Sequence, residues 1–235
     1  MSSFSKNIWR SIKGHISRFL ALFAIVALGA GVFAGLRMFV PDMIHSADTI
    51  YDEDRLIDFR IVSTLGIVEE DVEAVLETDG VEGAKPIILN EIALANPEKS
   101  LQISLEGIDM EQVRDFEAAL AKASSETEQT RIKEEQFPNY VNRLTLLDGR
   151  FPQNPGEIVI SNTDNNVQVG DNFSVTQVVG QDSIDKYLKV KKFEIVGIIK
   201  SPEFILDDYG VSPDTGKTIT NYAYTGFNTY KETDV

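Results

Sequence analysis

Clusters of oxygen-bearing side chains are the first candidates for chemistry, because carboxylate and amide oxygens are the ligands that calcium prefers. Such clusters occur at residues 52–54, 162–166 and 207–208. None of them has the D-x-[DN]-x-[DN]-G spacing of a calcium-binding loop. The two histidines, His15 and His45, stand apart from any set of metal ligands or catalytic partners. We therefore expect no metal site, and we interpret the acidic clusters as solvated surface.

A glycine-rich stretch at residues 29–34 matches the dinucleotide-binding pattern G-x-G-x-x-[GA], and Asp48 follows about 20 residues beyond its first glycine. In a Rossmann fold this loop joins a short strand to an amphipathic helix. Here ten uncharged residues precede the loop, and the sequence after it is apolar until Arg37. An oxidoreductase stays a hypothesis to test, but the pattern favours a membrane helix.

Catalytic motifs are otherwise missing from the sequence, which contains neither a G-x-S-x-G nucleophile turn nor a phosphate-binding P-loop. Zero cysteines exclude disulfides, Cys-ligated zinc, iron–sulfur clusters and thiol catalysis. We predict that the chain is not an enzyme, that it has no catalytic residues, and that it binds no cofactor or metal.

An apolar run begins at residue 19: residues 19–36 are 18 consecutive uncharged positions, and the run continues past Arg37 to Val40. As a helix its core is roughly 27 Å long, which is close to the hydrocarbon thickness of a bilayer, about 30 Å. We predict a transmembrane helix over residues 19–40. A cleaved signal peptide stays an alternative, since residues 32–34 form a small-residue cleavage pattern.

Charge is divided sharply along the chain. Five of the 22 Lys and Arg residues lie within residues 1–37, and all 37 Asp and Glu residues follow them. The positive-inside rule therefore places the N-terminus in the cytoplasm and the residues after about 41 outside the plasma membrane. The acidic remainder also argues against nucleic acid as a partner, because a basic surface is needed to bind phosphates.

Residues 1–18 precede the membrane segment and carry apolar side chains at every fourth position, with basic residues between them. The apolar positions are Phe4, Ile8, Ile12 and Ile16. This spacing predicts a basic amphipathic helix that lies on the cytoplasmic surface of the lipid bilayer.

Small residues recur at every fourth position within the membrane segment, at Ala27, Gly31 and Gly35. They form a smooth helix face on which another transmembrane helix can pack closely. The sequence contains no second apolar span, so we expect either that the protein oligomerises through this helix or that the partner helices belong to a longer chain of which this is the front part.

Beyond the membrane segment, the sequence predicts a helical stalk over residues 41–58 and an extracytoplasmic domain over residues 59–235. Strand patterns occur at residues 59–63, 86–95, 101–106, 157–161, 172–179 and 187–200. Amphipathic helices are predicted over residues 68–76 and from Asp109 to Leu120. A polar loop or solvated helix is expected at residues 124–136, and turns are expected at residues 148–149, 155–156 and 170–171. The order of these elements predicts an α+β domain with a β-rich portion.

Several of these segments together resemble the FtsX-like (MacB-type) permeases of ABC transporters. The membrane helix from Arg18 to Met43 is similar to the family's first span. Residues 147–160, LDGRFPQNPGEIVI, are similar to its "GR.P..pgEiviS" stretch, and residues 169–171 and 193–199 continue the pattern in the same order.

The resemblance implies a bacterial permease subunit with one span, a MacB-like periplasmic core domain and three further spans. It implies a separate ABC ATPase subunit as partner, the only place where ATP is expected, and movement of the outer domain for export or transport. Because the sequence stops at Val235 before a second span, we expect an N-terminal, incomplete part of a longer permease, whose outer domain has unpaired strand edges. The alternative function is a single-pass anchored or secreted ligand-binding protein.

Overall fold

A computed structural model describes residues 10, 13–63, 66–161, 167–179, 183–204, 211–212, 216 and 218–231. The chain divides into two compact units, Met1–Tyr51 and Asp52–Val235. The oxygen-rich segments 162–166 and 207–208 lie outside the described residues, as does most of the predicted amphipathic helix at residues 1–18.

Helix α1 runs over Ile16–Glu53 without interruption and contains Pro41. It is the one helix in the described part of the chain whose length and composition would allow it to cross a membrane, with a mean hydropathy of 2.5 over its most apolar 18 residues. The dinucleotide-binding hypothesis is wrong, because residues 29–34 lie in the middle of this helix and not at a strand-to-helix turn.

The helix that follows Asp109 begins where the sequence provides a cap. The carboxylate of Asp109 accepts hydrogen bonds from the backbone N–H groups of Glu111 and Gln112 at 3.0 and 3.1 Å, so the helix after it starts at the predicted place. The helices are α2 (Glu69–Leu76), α3 (Met110–Leu120), α4 (Glu126–Arg131), a π-helix (Ile132–Gln136) and α5 (Ile184–Tyr187).

Seven strands form one mixed sheet in the order β3-β6-β4-β7-β2-β1-β5, and a further pairing joins β5 to β6. This pairing joins six of the strands, β6, β4, β7, β2, β1 and β5, into a closed ring. Among the described strands, only β3 has a single neighbour. Their bounds are β1 Ile88–Ala95, β2 Ser100–Ile108, β3 Thr145–Gly149, β4 Glu157–Ile160, β5 Asn172–Val178, β6 Lys192–Lys200 and β7 Asn221–Gly226. The predicted α+β fold class is confirmed. The expectation of unpaired strand edges holds only for β3 in this part of the chain.

Two apolar cores lie on opposite faces of the sheet, because successive side chains of a strand point in opposite directions. In β4, Ile158 and Ile160 belong to the core inside the closed sheet, together with Phe173 and Phe193. Val159 between them belongs to the outer core, where α3 and the π-helix cover the sheet. Because both faces of β4 are buried, its sequence does not alternate between apolar and polar residues.

Two strand predictions need correction. Residues 59–63 are not a strand: their backbone has no strand partner in the described part of the chain, and Phe59 is 87% exposed. The predicted strand at residues 187–200 begins only at Lys192. A helical turn, α5, ends at Tyr187, and residues 188–191 between them are irregular.

Two strands were not predicted, although one of them is central. Strand β7 is buried along its whole length and joins β2 to β4. Its sequence, NYAYTG, combines tyrosine and threonine, which suit strands, with asparagine and glycine, which do not. Residues 148–149 were expected as a turn only, yet they complete β3.

A substitution at Gly149 would test how closely the backbones of β3 and β6 approach each other. Its φ is +79°, and a Cβ there would meet the Val196 carbonyl oxygen and lie 2.9 Å from the Gly197 Cα. We expect Gly149→Ala to lower the free energy of unfolding by about 2–4 kcal/mol, from left-handed strain and overpacking together. Gly170 (φ +95°) has nothing within 4 Å, so Gly170→Ala should cost only the strain, about 1–2 kcal/mol.

The measurement is urea unfolding of the full chain in detergent micelles, followed by near-UV circular dichroism of the buried tyrosines. Equal losses for the two variants would show that the β3–β6 contact is not tight.

Candidate functional site

The small-residue face of α1 is the first predicted site. Ala27, Gly31 and Gly35 lie on the exposed helix, and Ala27 and Gly35 are about 12 Å apart along its axis. A Cβ built on Gly31 or Gly35 meets nothing within 4 Å. Nothing in the described part of the chain packs on this face, so its role in helix packing stays a prediction.

A set of hydrogen bonds fixes the chain where it leaves α1, all of them within the second unit. The backbone carbonyls of Glu53, Asp54 and Arg55 accept bonds from the Arg143 Nη1 (3.0 Å), the Arg143 backbone N–H (2.8 Å) and the Asn142 backbone N–H (2.8 Å). The Asn142 Oδ1 accepts from the backbone N–H of Ile57 at 2.9 Å. We call residues 53–57 with 142–143 the stalk anchor.

Arg143 is the central residue of the stalk anchor, and it is only 4% exposed. Its guanidinium lies 5.2 Å from the centre of the Phe116 ring, and it also donates to the backbone carbonyl of Lys133. Burial and the nearby Arg55 lower the pKa of Arg143 to about 10, so the side chain stays charged at neutral pH. A carbonyl at a helix end needs such a donor, because it has no partner within the helix.

A partly buried ionic cluster adjoins the stalk anchor on the outer face of β2. The Arg60 guanidinium donates to Glu106 at 2.9 Å and also to Glu203, and the Asn142 Nδ2 donates to the other oxygen of Glu203 at 2.9 Å. Burial and the proximity of Glu106 raise the pKa of Glu203. Burial opposes the charge of Arg60, but Glu106 and Glu203 outweigh it, and the pKa of Arg60 is raised. Asn142 thus joins the ionic cluster to the stalk anchor.

The stretch that resembles the permease family forms a tight loop between β3 and β4. Arg150 and Glu157 make a paired interaction, with Nη1–Oε2 and Nη2–Oε1 distances of 2.7 and 2.8 Å. The Glu157 carboxylate also accepts from the Gln153 backbone N–H at 2.8 Å and from the Asn154 amide at 3.0 Å. Gly149 and Gly156 flank the loop with φ of +79° and +84°. The arginine, glutamate and glycines of this stretch therefore have a structural role, because they hold the loop between β3 and β4 in its shape.

The bonds around Glu157 also control its ionisation. The guanidinium of Arg150 has the largest effect, and with the bonds from Asn154 and Gln153 it outweighs burial and holds the pKa of Glu157 well below its usual value. The carboxylate is therefore charged throughout the physiological range.

The residues of the ionic cluster and the stalk anchor were missed in the sequence, because Arg60 and Glu203 are 143 positions apart. The only local signal was Arg60 itself, a cation within an otherwise apolar run. Within the described residues, no group of three or more His, Asp or Glu side chains is placed to hold a metal ion.

Comparison with solved structures gives a distant likeness in fold. No family model matches the chain, and no curated protein matches its sequence. The fold is similar to a crystal structure of the extracellular domain of the noncanonic ABC-type transporter YknZ from Gram-positive bacteria, with 14% identity and a TM-score of 0.35. The match covers 74% of this chain and 76% of that one. A likeness this distant does not by itself indicate a function.

Glu157 makes stability depend on pH. Its pKa is lower in the folded than in the unfolded chain, so its contribution is complete above the unfolded pKa, about 4.5, and is lost as the pH falls below that value. We expect Glu157→Gln to cost about 1–2 kcal/mol at pH 7, and the difference from the wild type to shrink at pH 3.5. Unfolding at both pH values measures it, with the exposed Glu98→Gln as control. A difference that grows toward low pH would contradict this account.

Arg60 is expected to stabilise the fold, because the carboxylate of its partner Glu106 is only 2% exposed and needs a cation. Arg60→Met leaves that carboxylate buried without its cation and should cost about 3 kcal/mol, whereas Arg60→Met with Glu106→Gln should recover part of the loss. The exposed pair of Lys191 and Asp185 provides the control, because Lys191→Met should cost far less than Arg60→Met. If the loss of unfolding free energy in the double variant equals the sum of the losses in Arg60→Met and Glu106→Gln, then Arg60 and Glu106 do not interact.

Proposed function

We propose that the chain is the N-terminal part of an ABC transporter permease of the FtsX/MacB type. In this proposal a separate ATPase subunit hydrolyses ATP, and α1 transmits the resulting movement to the extracytoplasmic domain for export or transmembrane transport. The chain itself performs no catalysis and binds no cofactor. Residues 1–18 lie on the cytoplasmic surface near the ATPase, and residues after about 41 lie outside the plasma membrane.

The observation that carries this proposal is the stalk anchor. Residues 53, 54, 55 and 57 each form one hydrogen bond with Asn142 or Arg143, four bonds in all. A flexible tether would suffice to anchor a domain that only binds a ligand. Several bonds between a helix end and a folded domain are what transmission of force requires, because a displacement of the helix end must then displace the residues that hold it.

Three further features support the proposal. One helix contains both the apolar segment and the polar residues that follow it, so no loop separates them. The division of charge at Arg37 agrees with an N-terminus in the cytoplasm. Ala27, Gly31 and Gly35 would pack against further transmembrane helices of the same or a second permease.

The absence of native cysteine makes labelling a direct test. We expect Glu98→Cys to react with a membrane-impermeant maleimide in intact cells and Ser3→Cys to react only after permeabilisation. In the complex purified in detergent, an ATPase with a P-loop should be present, and ATP should change the labelling rate of the Glu98→Cys variant. Adding Arg143→Met to that variant should abolish the change, while adding the exposed-arginine substitution Arg131→Met should preserve it.

Other outcomes would contradict the proposal in distinct ways. Labelling of both cysteine variants only after permeabilisation would overturn the topology. Correct topology without a co-purified ATPase would favour the anchored binding protein. An ATP-dependent change that survives Arg143→Met would leave the permease assignment intact but remove the stalk anchor from the pathway of movement.

A further inference from the structure

Three large apolar side chains that lie close together in the chain are the most exposed of their kind among the described residues of the second unit. They are Phe59, Ile61 and Val62, with exposed fractions of 87%, 64% and 79%. Single exposed apolar residues are common on protein surfaces, but a group of them marks an interaction site. We call residues 59–62, with the sequence FRIV, the apolar segment.

The domain holds the apolar segment in a fixed position from one side. The Arg60 guanidinium donates to Glu106 at 2.9 Å and also to Glu203. Just before the segment, the backbone N–H of Ile57 donates to the Asn142 Oδ1 at 2.9 Å. The segment is therefore presented to a partner without first having to be ordered, which lowers the entropy cost of binding.

The other side of the apolar segment and its backbone are available to a partner. The chain neither turns nor bends at residues 59–62, and successive side chains of an extended chain point in opposite directions. Phe59 and Ile61 therefore point away from the side on which Arg60 is bound, in agreement with their exposure. The backbone of the segment forms no hydrogen bond to the backbone of a described residue. Free backbone groups next to apolar side chains are a template for pairing with another strand.

We propose that the apolar segment pairs antiparallel with the same segment of a second copy of this chain. When the two copies of Arg60 lie opposite each other, Phe59 of each copy lies opposite Ile61 of the other. An aromatic ring beside a β-branched side chain is a favourable cross-strand pair, and two-fold symmetry forms this pair twice. Each Arg60 stays bound to the carboxylates of its own copy, so the two guanidinium charges are compensated. The segment therefore complements itself in this register.

The apolar segment is too short to hold two chains together by itself. Two strands of four residues bury far less surface than the roughly 1,200 Å² of a stable interface. A second contact is needed, and the small-residue face of α1, where a Cβ on Gly31 or Gly35 meets nothing within 4 Å, suits the packing of two membrane helices. Chains joined at α1 hold their segments at a high effective concentration. The inference thus rests on the membrane location proposed above, but it requires no ATPase.

Engineered disulfides test the pairing directly, because the chain contains no native cysteine. Two differently tagged full-length copies are co-expressed, one with Phe59→Cys and the other with Ile61→Cys, and isolated membranes are oxidised with copper phenanthroline. We expect a cross-linked dimer that carries both tags, because directly opposite Cβ atoms lie about 4.5–5.5 Å apart. Both substituted side chains are exposed, so neither change should disturb the fold.

Two controls define the register and the surface. Phe59→Cys in both copies should cross-link about fivefold less or weaker still, because these positions are diagonal in the proposed register and about 7–8 Å apart. Leu147→Cys in both copies should give no dimer. Leu147 is also an exposed apolar residue, and it lies on β3, which has one neighbouring strand among those described.

Three results would overturn the inference. If impermeant labelling confirms the membrane topology but no dimer with both tags forms, the segment does not pair with a second copy, and the permease proposal is unaffected. Equal yields from the Phe59→Cys pair or the Leu147→Cys pair would indicate random collision and not a defined register. Cross-linking of either variant to a different protein would show that another partner occupies the segment.

Discussion

Strand β6 pairs with three other strands, and the closed sheet depends on this. One edge of β6 bonds to β4, while the other edge bonds to β5 near its start and to β3 near its end. The register shifts against both β3 and β4, and such irregularities bend a strand. At Gly197 a Cβ would lie 2.5 Å from the Arg150 carbonyl oxygen, so the approach of the neighbouring chain requires glycine there.

Closure of the sheet gives the domain two cores with different contents. The interior is filled by aliphatic and aromatic side chains, and the outer face of β7, β4 and β6 is covered by α3 and the π-helix. Where this cover ends, β2 presents Glu106 to the outside of the sheet. Arg60 and Asn142 then complete a polar layer that apolar packing could not provide, and each buried carboxylate in it has a donor.

The stalk anchor and the ionic cluster are neighbours because they share Asn142. This side chain bonds to Ile57 on one side and to Glu203 on the other. A displacement of the chain at residues 53–57 would therefore reach the ionic cluster through one side chain. This connection gives the proposed permease a physical route by which movement of the helix end could alter the domain.

Local chemistry was sufficient to predict the elements whose signals are contained within a few residues. The long apolar run predicted a helix, Asp109 predicted the start of α3, and the glycines near residues 149 and 156 predicted the turns of the Arg150–Glu157 loop. The α+β class followed from the order of these elements. Each of these elements depends on hydrogen bonds or on a periodic pattern among residues that are close together in the sequence, so it can be predicted from the sequence.

Contacts between distant residues could not be predicted in the same way. Residues 59–63 have a strand-like composition, but no described strand lies beside them, whereas the less typical β7 is a strand because β2 and β4 lie on its two sides. Nothing in the sequence near Glu106 or Glu203 indicates that both carboxylates meet Arg60 in the fold. The sequence by itself determined the membrane-compatible helix, the turns and the fold class, since these follow from local energetics. Only the tertiary structure decided the closed sheet, the stalk anchor and the ionic cluster, because a charge or a strand acquires its role from partners that are remote in the chain.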